Sequence, residues 1–247
     1  VLKGVIDGID KDDFLIIWGG GIYNWFDSLT LIKAMGLVGL ERDDIKLFFM
    51  GIKHPNPEVR ELSMVNDTIS LSDKLNLTGK NVFFNFNWVP YNDRHNYLLE
   101  SDAGIITHPQ HIETRFSFRT RILDYIWAGL PIISTRGDSL SSLISREKMG
   151  LTVEEDNPQA LAKIIIKMAT EKDKYSEYKE NINRIKPAFY WEEVTKPLIA
   201  YCKDPVISSF KNNLDEGQDP QILNNPPRAN KGAASRFFYH LKNSGPK

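Results

Sequence analysis

Phe14-Leu15-Ile16-Ile17-Trp18-Gly19-Gly20-Gly21-Ile22-Tyr23-Asn24-Trp25-Phe26-Asp27 joins an uninterrupted apolar run to three glycines and then to a helical pattern over residues 27–37. An apolar run without polar alternation fits a strand buried on both faces, as in a parallel sheet. The same unit recurs along the chain. Short apolar runs bounded by Gly, Pro, Asn or Asp predict strands at 14–18, 45–50, 82–86, 103–107, 131–135 and 151–153. Helical spacing predicts helices at 27–37, 58–77, 93–100, 117–128, 139–148 and 158–170. In the last of these Leu161, Ile164, Ile165 and Met168 fall on one face, and Asn157 before Pro158 is a good cap followed by proline at the first helical position. Alternation of this kind requires right-handed crossovers. The expected fold is α/β: a doubly wound, mostly parallel Rossmann-like sheet with helices on both faces.

Beyond Tyr175 the pattern is helical only, and Val194, Leu198, Tyr201 and Cys202 predict a terminal helix over 192–203. From residue 205 the composition turns to Asn, Pro, Gly, Lys and Ser around Asn224-Asn225-Pro226-Pro227. The expected organisation is one domain over 1–204 and a linker or poorly ordered tail over 205–247, with the aromatic-basic patch Arg236-Phe237-Phe238-Tyr239-His240 near its end. The chain has 247 residues, 41% hydrophobic and 26% charged, with 31 basic residues against 32 acidic. That balance lacks the basic excess of a nucleic-acid binder. A lone cysteine, Cys202, allows no intrachain disulfide and no multi-cysteine metal site, and fits a reducing cytoplasm. No apolar run approaches the roughly 20 residues that span a bilayer. The chain begins at Val1 rather than Met, so a segment upstream is expected to be missing.

In an open parallel sheet, ligands bind outside the carboxyl ends of the strands near the switch in strand order. The loop after the first strand, Gly19-Gly20-Gly21, lets backbone approach a phosphate, and the helix that follows offers free N–H groups. It is not a dehydrogenase fingerprint, because Asn24 stands where Gly or Ala is needed, and no Walker lysine follows. A plain tight turn is the alternative. The other rich segment runs from His108 through Glu113, Ser117, Phe118, Arg119, Thr120, Arg121 and Asp124 to Pro131. On a helix over 117–128, Ser117, Arg121 and Asp124 form one polar stripe opposite Ile122, Leu123, Ile126 and Trp127. Arginine binds phosphate oxygens through paired N–H groups, and a carboxylate accepts from sugar hydroxyls. The alternative is an Arg121–Asp124 surface pair of little energetic worth. His108, His111 and Glu113 resemble metal ligands only in type; their spacing in a loop is not diagnostic.

Leu123-Asp124-Tyr125-Ile126-Trp127-Ala128-Gly129-Leu130-Pro131-Ile132-Ile133 resembles the helix-to-strand signature L-E-A-[ML]-A-x-G-[LK]-P-V-[IV] of family 4 glycosyltransferases. The stretch from Phe116 to Asp138 resembles a bacterial subgroup reading F-S-F-R-T-R-[IV]-L-D-Y-[LI]-W-A-G-L-P followed by G-D, as do residues 18–27 and Trp88-Val89-Pro90-Tyr91. The resemblance spans residues 4–204. It implies the C-terminal, donor-binding lobe of the two-lobed GT-B architecture, taking a nucleotide diphosphate sugar with no metal and no other cofactor. By that resemblance Gly19, Gly20 and Gly21 approach the phosphates, Arg119 or Arg121 compensates their charge, and Ser117, Phe118 and Thr120 belong to the donor-binding set. Asp124 takes the ribose, Trp88, Val89 and Tyr91 border the base, and Glu113 lies near the donor sugar as the catalytic acid of the first motif. Glu113 and Asp124 have ten residues between them, more than the family's usual spacing, and the lysine often found after the first strand is replaced by Trp25 and Asp27 nearby. The implied activity is retaining transfer to a cell-surface glycan or lipid-linked acceptor, dependent on the missing N-terminal acceptor lobe. The implied location is the cytoplasm, with peripheral contact at the inner face of the membrane. A nucleotide-sugar 2-epimerase and a non-catalytic nucleotide-sugar-binding module are the rival readings.

Overall fold

A computed structural model describes residues 1–205 apart from 57 and 61. Six parallel strands lie in the order β3-β2-β1-β4-β5-β6: β1 Phe14–Trp18, β2 Ile45–Phe49, β3 Val82–Phe84, β4 Ala103–Ile106, β5 Ile132–Thr135 and β6 Gly150–Val153. The order reverses between β1 and β4, which is the switch point of a Rossmann-like sheet. The doubly wound parallel sheet expected from the apolar runs is therefore the fold observed. The central strands are buried on both faces, and Leu15, Ile16, Ile17 and Trp18 of β1 are all fully inaccessible, whereas the edge strand β6 is only partly buried.

The helices are α1 Ser28–Glu41, α2 Ser63–Lys74, α3 Arg94–Glu100, α4 Ile112–Phe116, α5 Arg121–Ala128, α6 Ser139–Arg146, α7 Pro158–Thr170, α8 Lys172–Ile185, α9 Trp191–Val194 and α10 Lys196–Lys203. Their ends follow side-chain chemistry. Asn157 accepts from Ala160 N–H at the start of α7, as its position before Pro158 predicts. Asp138 and Ser141 form a capping box on α6, and Gly129 closes α5 in the left-handed region at φ 71°.

Several boundaries differ from the sequence pattern. α2 starts at Ser63 rather than 58, because the Pro-rich stretch before it turns through bonds from Asn56 N–H to His54 Nδ1 and from Glu58 N–H to Asn56 Oδ1. It ends before Asn76, whose φ of 54° no helix continues. β3 stops at Phe84, since the Asn85 side chain turns to the Met50 carbonyl at 2.8 Å. The expected helix over 117–128 begins only at Arg121, and a separate short helix, α4, precedes it. The terminal helix splits into α9 and α10. By packing, Val1–Val194 form one compact unit and a second begins at Thr195. The tail over 206–247, including the patch at 236–240, lies outside the described residues. No helix among the described residues is long and apolar enough to cross a membrane.

Candidate functional site

The glycine loop leaves β1 at the switch point, and buried side chains hold it from beneath. The Tyr125 ring, fully buried, sits under Gly104 of β4. Its hydroxyl accepts the Gly19 N–H at 2.9 Å and lies 2.9 Å from the Ile105 carbonyl, to which it donates. Burial pushes this phenol up to about 12, so it stays a neutral donor. Arg121 reaches the loop from the first turn of α5. Its Nε donates to the Gly19 carbonyl at 3.1 Å and its Nη2 to the Gly21 carbonyl. The guanidinium lies 4.3 Å from the Phe26 ring centroid and 5.4 Å from that of Trp18, so aromatic faces share its charge. Gly20 stands at φ 141°, and a Cβ there would meet Arg121 Nε at 2.9 Å. Glycine is thus required both by the backbone and by the arginine.

Outside this loop a cavity of about 570 Å³ opens at the carboxyl ends of β1, β2 and β3. Gly20 and Gly21 form one wall, Met50, Gly51, Ile52 and Lys53 a second, and Trp88, Val89 and Tyr91 a third. Arg94, at the start of α3, lines it too, and pairs with Asp124 of α5. A second cleft of about 890 Å³ lies between α3, α5 and residues 186–192, and shares Tyr91 and Arg94 with the first. The Arg94–Asp124 pair is thus at the junction of the two.

Residues 6–184 match the glycosyl transferases group 1 family. The chain belongs to that family. No curated protein matches it. Its fold is similar to that of WaaG, a glycosyltransferase involved in lipopolysaccharide biosynthesis, with a TM-score of 0.59 at 18% identity over 81% of this chain and 49% of that one. It is also similar to Anabaena Alr3699/HepE in complex with UDP-glucose, at TM-score 0.63 and 16% identity over 79% of this chain and 50% of that one. A third likeness is to the C-terminal domain of LpcC, a glycosyl transferase group 1 family protein from Francisella tularensis, at 0.58 and 16% identity over 71% and 85%. The chain spans about half the length of the first two proteins.

Within this glycosyltransferase domain the cavity brings together only part of the sequence-derived set. Gly20, Gly21, Trp88, Val89 and Tyr91 line it, and Asp124 adjoins it through Arg94. Ser117, Phe118, Arg119, Thr120 and Glu113 do not line it. Ser117 is not on the helix with Arg121 and Asp124: it lies extended after α4 and donates its hydroxyl to the Thr114 carbonyl at 3.0 Å. The polar stripe inferred from the spacing is therefore reduced to Arg121 and Asp124, and the carboxylate pairs with Arg94 rather than Arg121. Glu113 is exposed on α4 with its N–H bonded to His111 Nδ1 at 3.2 Å. The N-terminus of α1, expected to offer free N–H groups, is capped by Asp27, which accepts from Thr30 N–H at 3.0 Å. In the glycine loop Gly19 N–H goes to Tyr125 and Gly20 N–H to the Trp18 carbonyl at 2.9 Å, so Gly21 N–H is the donor left to meet an anion among the described residues. Among the described residues, no group of His, Cys, Asp and Glu is arranged to hold a metal ion. Sequence reasoning missed Arg94, Tyr125 and the loop after β2. Tyr125 carried a signal, a large polar ring within an otherwise apolar helix face; Arg94 carried none.

Behind the loop, Arg119 and Asp138 are buried together, with Nε 2.8 Å from Oδ2 and side-chain exposures of 1% and 0%. The two charges attract, but the N–H is not aligned on the oxygen, and among the described residues the guanidinium's hydrogen bond is a long one from Nη1 to Thr135 Oγ1 at 3.4 Å. His108 is buried beside them, edge-on to Phe26, with no hydrogen-bond partner for Nδ1 among the described residues. Burial, then the charges of Arg119 and Arg121, pull this imidazole from 6.5 down to about 2. The unfolded chain takes a proton below pH 6.5 and the folded one does not, so the contribution of neutral His108 is complete above that pH and lost as pH falls toward 2. We expect stability to drop by about 1.4 kcal/mol per pH unit below 6.5 from this group alone. A His108→Gln variant should show a shallower fall between pH 6.5 and 5 in urea titrations. An equal slope would mean that His108 charges freely in the folded state.

Proposed function

We propose that this chain is the donor-binding lobe of a retaining glycosyltransferase, taking a nucleotide diphosphate sugar and passing the sugar to a cell-surface glycan or lipid-linked acceptor held by an N-terminal lobe. The observation that carries this reading is the cavity at the carboxyl ends of β1, β2 and β3, with Gly20 and Gly21 among its lining on one side and Trp88, Val89 and Tyr91 on another. Glycines suit the diphosphate, and aromatic faces suit a base. The structural neighbour HepE was crystallised with UDP-glucose, which supports the substrate class. In this reading Asp124 receives the ribose hydroxyls and Glu113 approaches the sugar once the second lobe closes over it. Catalysis is then positioning plus stabilisation of the leaving diphosphate, with no metal and no enzyme-bound intermediate. Such a lobe alone binds donor and transfers little, and it works in the cytoplasm at the inner membrane face.

A thermal-shift series with UDP, GDP, dTDP and ADP tests the reading, because a bound nucleotide raises the melting point by linkage. No shift with any of them would overturn it. Asp124 provides the sharper check. It is held by Arg94 in the unliganded chain, so ribose hydroxyls compete with an existing partner. We expect about a tenfold preference for the ribo- over the 2′-deoxynucleotide, near the worth of one hydrogen bond to a charge. Asp124→Asn should bring that ratio close to unity in calorimetry. A retained preference would leave Asp124 as the ion-pair partner of Arg94 alone.

A further inference from the structure

We infer that Arg94 reads the nucleobase of the donor and selects a keto base (uracil, thymine or guanine) over the amino bases cytosine and adenine; this rests on the donor-lobe reading above and names the base class that its site takes. Aromatic faces cannot make that choice. Trp88 and Tyr91 line the cavity at 58% and 79% exposure and offer stacking surface, but every base has a face to stack. Discrimination between bases of one size needs hydrogen bonds to the edge of the ring. Arg94 is placed to make them. Its guanidinium lies 5.6 Å from the Tyr91 ring centroid and donates through Nη2 to Asp124. A nucleoside with its ribose at Asp124 and its base at Tyr91 therefore meets this one side chain between them.

An arginine in a partly exposed ion pair ordinarily contributes little, and its spare N–H groups meet water. Here the pair occupies Nη2, and among the described residues Nε and Nη1 make no hydrogen bond. The side chain is 27% exposed and lines both the donor cavity and the second cleft, so a ligand can reach those groups. A guanidinium has donors and no acceptor, so a ring edge that meets it must accept. The O4 carbonyl of uracil or the O6 carbonyl of guanine does so, whereas the amino group at the same place on cytosine or adenine sets donor against donor. Two further cavity residues act in the same sense. His54, its ring centroid 6.3 Å from that of Trp88, accepts the Asn56 N–H on Nδ1, which leaves Nε2 to carry the proton of the neutral ring as a donor. Asn56 accepts the Glu58 N–H on Oδ1, and its Nδ2 donors have no partner among the described residues. Ribose hydroxyls that compete for Asp124 free Nη2 as well, so ligand binding adds to the donors of Arg94.

Calorimetry on the 247-residue chain with UDP against CDP, and with inosine diphosphate against ADP, tests this. Each pair keeps ring size, ribose and diphosphate and exchanges a carbonyl for an amino group. In whichever pair binds, the keto member should be tighter by about tenfold, as for one good set of base-edge contacts. Arg94→Gln, which adds an acceptor, should bring that ratio within about twofold of unity. Arg94→Lys keeps a cation for Asp124 but loses the fork, and its ratio should fall between the two. The ratio is the readout because a lost phosphate contact or lost stability weakens both members alike. Equal affinity of wild type for both members, or a preference for the amino base, overturns the inference and leaves the donor reading in place. A keto preference that Arg94→Gln retains does the same, and moves the choice to another group of the cavity. A wild-type chain that binds none of the four nucleotides overturns the donor reading and the inference with it.

Discussion

Arg119→Ala should be among the most destabilising single substitutions in the chain, costing about 3–5 kcal/mol, as expected when one partner of a buried ion pair is removed. The reason lies in what remains. Asp138 has a side-chain exposure of 0%, so its charge cannot be hydrated once the guanidinium is gone. Nor can it readily leave, since its Oδ1 accepts from Leu140 and Ser141 N–H at the start of α6. Burial pulls the Arg119 pKa down, and Asp138, then Glu113 and Glu155, push it back up. Arg119→Ala/Asp138→Ser should recover much of the loss, because serine caps the helix without a charge. The readout is the urea midpoint of the two variants. A loss below about 1 kcal/mol for Arg119→Ala, typical of an exposed pair, would show that water reaches Asp138. The double variant also separates roles: if nucleotide affinity falls along with stability in Arg119→Ala and returns with it in the double variant, Arg119 acts by holding the loop and not by touching phosphate.

The strand-helix alternation was legible because it needs only local information. The apolar runs of β1, β2, β4 and β5 are buried on both faces, and such a strand leaves no polar alternation to misread. The glycine loop was legible for the same reason, since Gly20 at φ 141° marks itself in the sequence. What failed were inferences that needed a partner far along the chain. Asp124 pairs with Arg94, thirty residues earlier, because α3 and α5 pack side by side. The helical stripe of Ser117, Arg121 and Asp124 assumed one continuous helix, but Ser117 bonds back to Thr114 and breaks the periodicity. The sequence offered Arg119 and Arg121 as phosphate partners by family likeness, and it held no sign of what each would pair with in the fold. The structure supplies Asp138 for one and the glycine-loop carbonyls for the other.

Gly104→Ala should couple stability to the site through one tyrosine. A methyl at Gly104 would lie 2.4 Å from Tyr125 Cγ and 2.5 Å from both Cδ atoms, flat against the ring. The strand cannot yield, because Gly104 pairs with Ile17 on one side and Ile132 on the other in the middle of the sheet. The ring must therefore move outward. Overpacking of this kind costs about 1–3 kcal/mol, and the displaced hydroxyl would leave the Gly19 N–H and the Ile105 carbonyl unmet at a further cost of about 1–3 kcal/mol. We expect a total near 4 kcal/mol in urea unfolding and, in the fraction still folded, weaker nucleotide binding, because Gly19 begins the loop that faces the cavity. Tyr125→Phe isolates the second part: it keeps the packing and removes the hydroxyl, so it should cost about 1–2 kcal/mol and weaken UDP binding with little change in fold. Gly104→Ala/Tyr125→Leu isolates the first, since a smaller side chain makes room for the methyl and should restore stability without restoring affinity. Should Gly104→Ala unfold at the wild-type midpoint, the ring moves freely and Tyr125 is no clamp. Should Tyr125→Phe bind UDP as wild type does, the bond from Gly19 N–H to Tyr125 does not shape the nucleotide site.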